Sequence, residues 1–393
     1  MTIGPAVVVG GGVIGLSVAR ALVERGASPV TVLERDLIAS GATGRSSGVV
    51  RCHYGVRSLA AMAWSSLSVL ADAERRLGAT SGYRQTGYLV GVGEADVSAL
   101  VANVALQQDV GVEVELVDHA RAAKLWPEAR IDDFAAFAFE PRGGYGDGYQ
   151  TAHAFARAAR RGGARIREQT PVVGVEMAED RVIGVRCASG EFVAAEHVIL
   201  AAGPWTVPLA DWCPTGVPVR AQRAQVLIVE PPLPGPARPV LSDLVSLQYV
   251  RPEPGGLLVG DSDHSEPEWA DPDACANSPD PLRLEASIAK FLHRFPGVPE
   301  PRLRLCYAGC YDVTPDYNPV ISGTPIEGLW ICAGFSGHGY KLSAAVGTLV
   351  ADLLLYGHST RPDIDHRDFE LSRFAEDRPL RSLHPYATAG QMR

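Results

Sequence analysis

The chain has 393 residues, 46% of them hydrophobic and 21% charged, which is enough apolar material for a large core and for two domains. A net charge of −9 at neutral pH, with no long basic run, speaks against a nucleic-acid partner and means that an anionic small substrate needs a local cationic site. The seven cysteines are irregularly spaced and never form CxxC; the near pair Cys306 and Cys310 has no further Cys or His ligands, so neither a disulfide framework nor a metal site is expected, and a reducing cytoplasm is.

Ala6-Val7-Val8-Val9 reads as a short buried parallel strand. Val13 to Arg25 follows as a helix stopped by Gly26, and Val30-Thr31-Val32-Leu33 is the second strand. The apolar stretch Ala6 to Val23 lacks a basic leader and is broken by Arg20, so neither a signal peptide nor a membrane span is expected. A Ser- and Gly-rich loop runs from Ser40 to Gly48. Leu59 to Leu77 is an amphipathic helix, Tyr88 to Val90 a strand, and Glu94 to Asp109 another helix. Phe134 to Tyr149 reads as a loop or domain crossing. Ala152 to Arg161 is helical, and Val172 to Met177, Arg181 to Cys187 and Glu191 to Ala195 form a strand meander. Val198 to Ala201 is a buried strand that runs into Ala202-Gly203-Pro204-Trp205.

From Val217 to Leu305 the character changes to short strands (Gln225 to Val229, Leu257 to Val259), Pro-rich turns at Pro231 to Pro239 and an acidic loop from Asp261 to Pro281, which is placed to act as a lid. With one helix near Leu282 to Phe295, this predicts an antiparallel sheet carrying the substrate. Leu329 to Ala333 is again a strand, Gly334 to Gly339 a glycine-rich turn, and Lys341 to Leu355 a helix. The residues beyond show no clear pattern and read as a surface tail.

Gly10-Gly11-Gly12-Val13-Ile14-Gly15 satisfies G-x-G-x-x-G between a strand and a helix, and Glu34, with Arg35 beside it, ends the next strand. This is the dinucleotide fingerprint: Gly10 allows the turn, Gly12 lets the backbone approach a pyrophosphate, Gly15 lets helix and strand pack, and Glu34 accepts from a ribose. A carboxylate there disfavours a 2′-phosphate. The fingerprint alone leaves NAD and FAD open. Further strand-to-glycine turns at Leu200 to Gly203 and Ala333 to Gly339 indicate several contacts along one extended cofactor, which fits FAD.

On Gly10 to Gly15, Glu34, Ser40-Gly41-Ala42-Thr43-Gly44-Arg45, Leu200 to Trp205, Thr314-Pro315-Asp316 and Ala333-Gly334-Phe335-Ser336-Gly337-His338-Gly339-Tyr340-Lys341, the chain resembles the D-amino-acid oxidase superfamily of FAD-dependent oxidoreductases. Within it, the likeness is to the sarcosine oxidase and glycine oxidase branch, over nearly the whole length. The resemblance implies an α/β fold with an α+β second domain. A Rossmann-like FAD domain would be built from residues 1–85, 142–215 and 312–393, and an antiparallel-sheet substrate domain from residues 86–141 and 216–311. Cofactor contacts would come from Gly10, Gly12, Val13, Ile14, Gly15, Glu34, Arg35, Gly44, Arg45 and Ser46. Val172, Ala202, Gly203 and Trp205 would add to them, as would Gly334, Gly337, His338, Gly339, Tyr340 and Lys341.

The same resemblance matches Arg51 and Lys341 to the two cations that bind a substrate carboxylate. It leaves Tyr54 to cover the substrate, and His338 and Tyr311 for orientation or proton handling. The reaction implied is oxidation of the C–N bond of a secondary or N-substituted amino acid, by hydride transfer to flavin N5 and hydrolysis of the imine. Gly309 stands where monomeric sarcosine oxidases carry a flavin-linked cysteine, so non-covalent FAD is expected, with Cys310 adjacent. Tyr311 replaces the arginine that glycine and D-amino-acid oxidases place near the Thr-Pro-Asp segment. The lysine that assists reaction with oxygen falls near Leu257-Leu258, where there is none, so the acceptor is oxygen or another electron acceptor. Competing readings are a glycine or D-amino-acid oxidase on primary amines, a non-catalytic flavoprotein assembly factor, and a colourless nicotinamide dehydrogenase.

Overall fold

The computed structural model describes residues 3–212, 216–230, 237–298 and 300–388; of the expected Pro-rich turns, residues 231–236 lie outside the described residues. The first strand, Ala6–Val9, sits between Val30–Leu33 and His197–Leu200 and is parallel to both, with Val8 opposite Val32 and Ile199. Outward from these lie Arg165–Arg167 on one side and Leu329–Ala333, then Val320–Gly323, on the other. Only the last pairing is antiparallel.

The central strands are apolar on both faces because both are covered. Val8, Val32 and Ile199 face the helices Val13–Glu24, Gly148–Arg161 and Gly339–Tyr356. Val7, Val9 and Leu200 face the meander of Val172–Ala178, Arg181–Cys187 and Phe192–Ala194. The N-terminal apolar stretch is therefore core, and among the described residues no helix is long and apolar enough to cross a membrane.

A second sheet has eight strands among the described residues, in the order Arg302–Val313, Arg220–Glu230, Gly256–Asp261, Gln248–Glu253, Val240–Asp243, Tyr88–Val92, Ala136–Glu140 and Glu115–Val117. It is antiparallel except at one junction, where Val240–Asp243 runs parallel to Tyr88–Val92. The helix Pro281–Arg294 covers it through Phe291, with Phe295 just beyond, against Leu241, Val250 and Val259.

Three expectations need correction. The stretch from Phe134 to Tyr149 is not only loop: Ala136–Glu140 is a strand of the eight-stranded sheet, pairing with both Tyr88–Val92 and Glu115–Val117. Its sequence, Ala-Phe-Ala-Phe-Glu, is buried on both faces and so lacks the alternation that marks a half-buried strand. The helix expected over Leu59 to Leu77 is two, Arg57–Ala71 and Ala73–Leu77, broken at Asp72.

The C-terminal segment is not a surface tail. Arg373 is buried, and its guanidinium donates to both oxygens of Asp316, at 2.8 and 3.0 Å, and to the Asn318 carbonyl at 2.8 Å. Further on, Tyr386 shares a 2.7 Å hydrogen bond with His53, while Asp96 accepts the Ala387 N–H at 2.6 Å. These polar anchors leave no apolar periodicity to read. The Arg373–Asp316 pair is nearly solvent-free, with side chains 1% and 2% exposed. Arg373→Met strands a buried carboxylate and should cost about 3–5 kcal/mol. Urea unfolding followed by circular dichroism checks this; an unmoved midpoint would show that the tail packs without the pair.

Candidate cofactor and substrate site

A cavity of about 670 Å³ opens at the C-terminal ends of the parallel strands, the usual place for a ligand in an open α/β sheet. Its floor is the glycine turn. Gly10 has a φ of +117°, and a Cβ there would meet the Ala201 carbonyl oxygen at 2.5 Å. At Gly15 a Cβ would come within 2.1 Å of the Gly10 oxygen, so this glycine serves close helix–strand packing, as its place in the fingerprint predicts. The helix Val13–Glu24 begins at Gly12 without a side-chain cap, and the Val13 N–H donates to Thr43 Oγ1 at 3.0 Å. Its N-terminus therefore faces the cavity with partial positive charge.

Glu34 lines the same wall. Its carboxylate accepts the Gly11 N–H at 2.6 Å and the Asp36 N–H at 2.8 Å, which fixes it beside the turn where a ribose edge would lie. Arg35, Arg45, Ser46, Val172, Ala202, Gly203 and Trp205 also line the cavity, as do Gly10, Gly12, Val13 and Ile14. Gly44 turns the loop behind them, its N–H donating to the Ala39 carbonyl at 3.0 Å.

The far end is made by the strand Arg302–Val313 and the glycine turn at residues 334–339. Ala308, Gly309, Cys310, Tyr311 and Asp312 line it, facing Phe335, Gly337, Gly339 and Tyr340. Gly337 has a φ of +81°, and a Cβ there would press on the Tyr311 ring at 3.0 Å. Asp312 holds this turn: its carboxylate accepts the Gly334 N–H at 2.7 Å and its carbonyl accepts the Ser336 N–H at 2.8 Å. Burial pushes the Asp312 carboxyl up to about 6, against the pull of the Phe335, Asp312 and Gly334 amides. The helix Gly339–Tyr356 starts here at His338, again without a side-chain cap. Two helix N-termini thus meet one cavity, and a long anionic cofactor fits it.

Arg51, Tyr54, His338 and Lys341 are buried beside this end rather than among the cavity's lining residues. The Arg51 guanidinium donates to the His53 carbonyl and stacks over the Tyr54 ring, 4.5 Å from its centroid. The Tyr54 hydroxyl shares a 2.9 Å hydrogen bond with His338 Nδ1. Lys341 lies in the first turn of the last helix, its Nζ 3.5 Å from the Gly337 carbonyl. Two pairs from opposite parts of the chain, Arg51 with Tyr54 and His338 with Lys341, are thereby brought to one corner.

Sequence reasoning missed Thr43, Asp312, Phe335 and the loop residues Pro272, Asp273 and Cys275, all of which line the cavity. Asp273 accepts from Trp205 Nε1 at 2.7 Å and pairs with Arg35 at 2.9 Å. The long acidic loop therefore lies over the Glu34 end of the cavity. Nothing local in an Asp-Pro-Asp-Ala-Cys stretch signals that reach. Thr43 was legible, since it sits inside the Ser-Gly-Ala-Thr-Gly-Arg motif.

Glycine turn, acidic strand end and two helix N-termini at one cavity are the features of a dinucleotide-binding α/β protein. The chain belongs to the FAD dependent oxidoreductase (DAO) family, whose model matches residues 6–353. It is 29% identical over 394 residues to 4-methylaminobutanoate oxidase (formaldehyde-forming) of Paenarthrobacter nicotinovorans, covering 94% of this chain and 45% of that one. It is 25% identical over 380 residues to mitochondrial sarcosine dehydrogenase of Homo sapiens, covering 94% and 41%. The chain thus spans under half the length of these two curated relatives. Among solved structures, L-proline dehydrogenase from P. horikoshii superposes with a TM-score of 0.86 at 25% identity, covering 95% of this chain and 98% of that one.

Glu34→Ala removes the acceptor beside the glycine turn. FAD retention should weaken by roughly tenfold, the worth of one hydrogen bond to a charged group. The ratio of flavin to protein absorbance after dialysis reads this directly, and full occupancy would take Glu34 out of cofactor binding.

Proposed function

We propose that this chain oxidises the C–N bond of a secondary or N-substituted amino acid, with non-covalent FAD as its cofactor and oxygen or another acceptor taking the electrons. The observation that carries this is the state of Arg51. It is 4% exposed, and among the described residues no carboxylate lies within ion-pair distance of it. Other buried arginines here are closed by acids: Arg294 by Asp133 and Asp243, Arg373 by Asp316. Glu140 acts on Arg51 only from beyond ion-pair distance, so the buried guanidinium still gains from an anion that a ligand brings to it. The similarity to proteins named for 4-methylaminobutanoate, sarcosine and L-proline, each a carboxylate with a secondary amine, supports the same substrate class.

FAD, when bound, supplies the two-electron acceptor. The chain's own residues do the rest. Arg51 would take the substrate carboxylate through two parallel hydrogen bonds, with Lys341 as the second cation. Two cations near the amine hold down its pKa, so it binds neutral and ready to lose a hydride equivalent. Tyr54, fixed between Arg51 and His338, covers the site and excludes water. His338 can hold or pass a proton through Nδ1 to the Tyr54 hydroxyl. Tyr311 lines the opposite wall and orients the amine. The helix N-terminus at Gly339 would stabilise negative charge that develops beside it.

The purified protein should be yellow, and anaerobic addition of N-methyl and cyclic amino acids should bleach it. Bleaching by primary amino acids alone would move the assignment to a glycine or D-amino-acid oxidase. A yellow protein that no amine bleaches would leave a non-catalytic flavoprotein. In the active enzyme, Arg51→Met should raise KM for a carboxylated amine on the order of 100-fold with FAD still bound, as loss of a bidentate charged contact implies. Unchanged steady-state kinetics would remove Arg51 from the site.

A further inference from the structure

Behind Arg51 lies a carboxyl group that the reaction above does not use. Glu140 ends the strand Ala136–Glu140 and is 2% exposed. Its Oε2 accepts the Cys52 N–H at 2.7 Å, while its Oε1 is buried with no hydrogen-bond partner among the described residues. Tyr88, its cross-strand partner, buries a hydroxyl in the same condition. Both interact electrostatically with the Arg51 guanidinium. Two unsatisfied polar atoms beside one cation are unusual in a packed interior, where nearly all such groups find partners.

We propose that Glu140 is the internal counter-charge of Arg51 and a positioning residue for the carboxylate site: it holds the Cys52 amide, and so the segment that aims Arg51, and its protonation state sets how much positive charge a bound carboxylate meets. The proposal rests on the reading of Arg51 given above.

The geometry explains why Glu140 does not simply neutralise Arg51. One of its oxygens is committed to the Cys52 amide, and the guanidinium is turned to the His53 carbonyl and the Tyr54 ring. The charged and titratable groups around the pair are Cys52 and His53 on the Arg51 segment, Tyr83 and Tyr88 on the adjoining segment and strand, Arg142 beyond the end of Glu140's own strand, and His338 through Tyr54. Burial pushes the Glu140 carboxyl up to about 7, against the Cys52 amide and Arg51, which pull it down. Below that pH Glu140 is neutral and Arg51 presents its full charge. Above it, Glu140 is anionic, repels an incoming carboxylate and offsets part of the attraction. Affinity for a carboxylate therefore falls as pH rises through the Glu140 value.

The test uses the FAD-loaded enzyme and simple carboxylates without an amine, acetate and benzoate, so that no substrate amine titrates. Their dissociation constants come from the visible flavin spectrum between about pH 6 and about pH 8, a unit either side of the Glu140 value. In the wild type the constant should rise roughly tenfold across this range, the scale of one charge acting through a protein interior. In Glu140→Gln, which keeps an acceptor for the Cys52 amide, it should stay flat at the low-pH value.

An inflection that persists in Glu140→Gln belongs to His53 or His338 and overturns the proposal. If Glu140→Gln does not fold, the wild-type profile decides, because a flat profile also overturns it. Arg51→Met separates the two readings. If that variant binds acetate and benzoate as the wild type does, the assignment of Arg51 fails; if it loses them while Glu140→Gln keeps the wild-type profile, the role of Glu140 alone fails. No spectral change with either carboxylate in the wild type removes both.

Discussion

Two helix N-termini that open onto one cavity are the constraint around which this molecule is arranged. Every α-helix leaves its first N–H groups without intrahelical partners, and a side chain or a ligand must answer them. Here Gly12 and His338 begin the helices Val13–Glu24 and Gly339–Tyr356, and neither caps with its side chain. The helices pack so closely that a Cβ on Gly347 would meet the Ser17 carbonyl oxygen at 2.4 Å. That contact fixes both N-termini at the rim of one sheet. The glycine turns before them bring bare backbone to the same cavity, and a phosphate-bearing, anionic cofactor is what such a surface accepts.

Much of this was legible because it is local. The run Ala6 to Gly15 writes strand, turn and helix in consecutive residues, and Glu34 closes the fingerprint one strand later. The second and third glycine turns carry the same signature. What was not legible depends on contacts across long sequence separations. Asp273 reaches Arg35 and Trp205 from a loop whose own sequence reads only as polar and irregular. That loop is anchored by Arg223, which donates to the Ala276 carbonyl at 3.0 Å and pairs with Glu268 at 3.1 Å. The acidic stretch reads as a lid, but the sequence holds nothing to say which end of the cavity it meets. The strand Ala136–Glu140 was hidden for a different reason: burial on both faces erases the period on which strand recognition rests.

Glu140 shows why the proposed substrate corner in particular resisted reading. A glutamate at the end of Ala-Phe-Ala-Phe-Glu, followed by Pro141 and Arg142, looks like an exposed strand end. Pairing with Tyr88 carries it inward instead, to the Cys52 amide. The Arg51 segment itself is a short strand at Val49–Val50, held by Tyr145 and Gly144 across a small antiparallel pairing. His53 on the same segment is gripped by Tyr386 and by Gln107 at 3.2 Å. Four distant parts of the chain hold one arginine, and no window of sequence contains them.

The chain's overall charge is consistent with such a site. At −9 it exerts little net long-range force on a zwitterionic amino acid, whose charges cancel, which argues against electrostatic steering as the source of affinity. At physiological ionic strength that field is screened within about 8 Å. Arg51, buried at 4% exposure, is screened far less, and in a low-dielectric corner its attraction acts strongly over the last few ångströms. Under the proposed reading, discrimination for a carboxylate is exercised after entry, by buried charge set among hydrogen-bonding groups. The acidic exterior serves solubility and leaves that selection untouched.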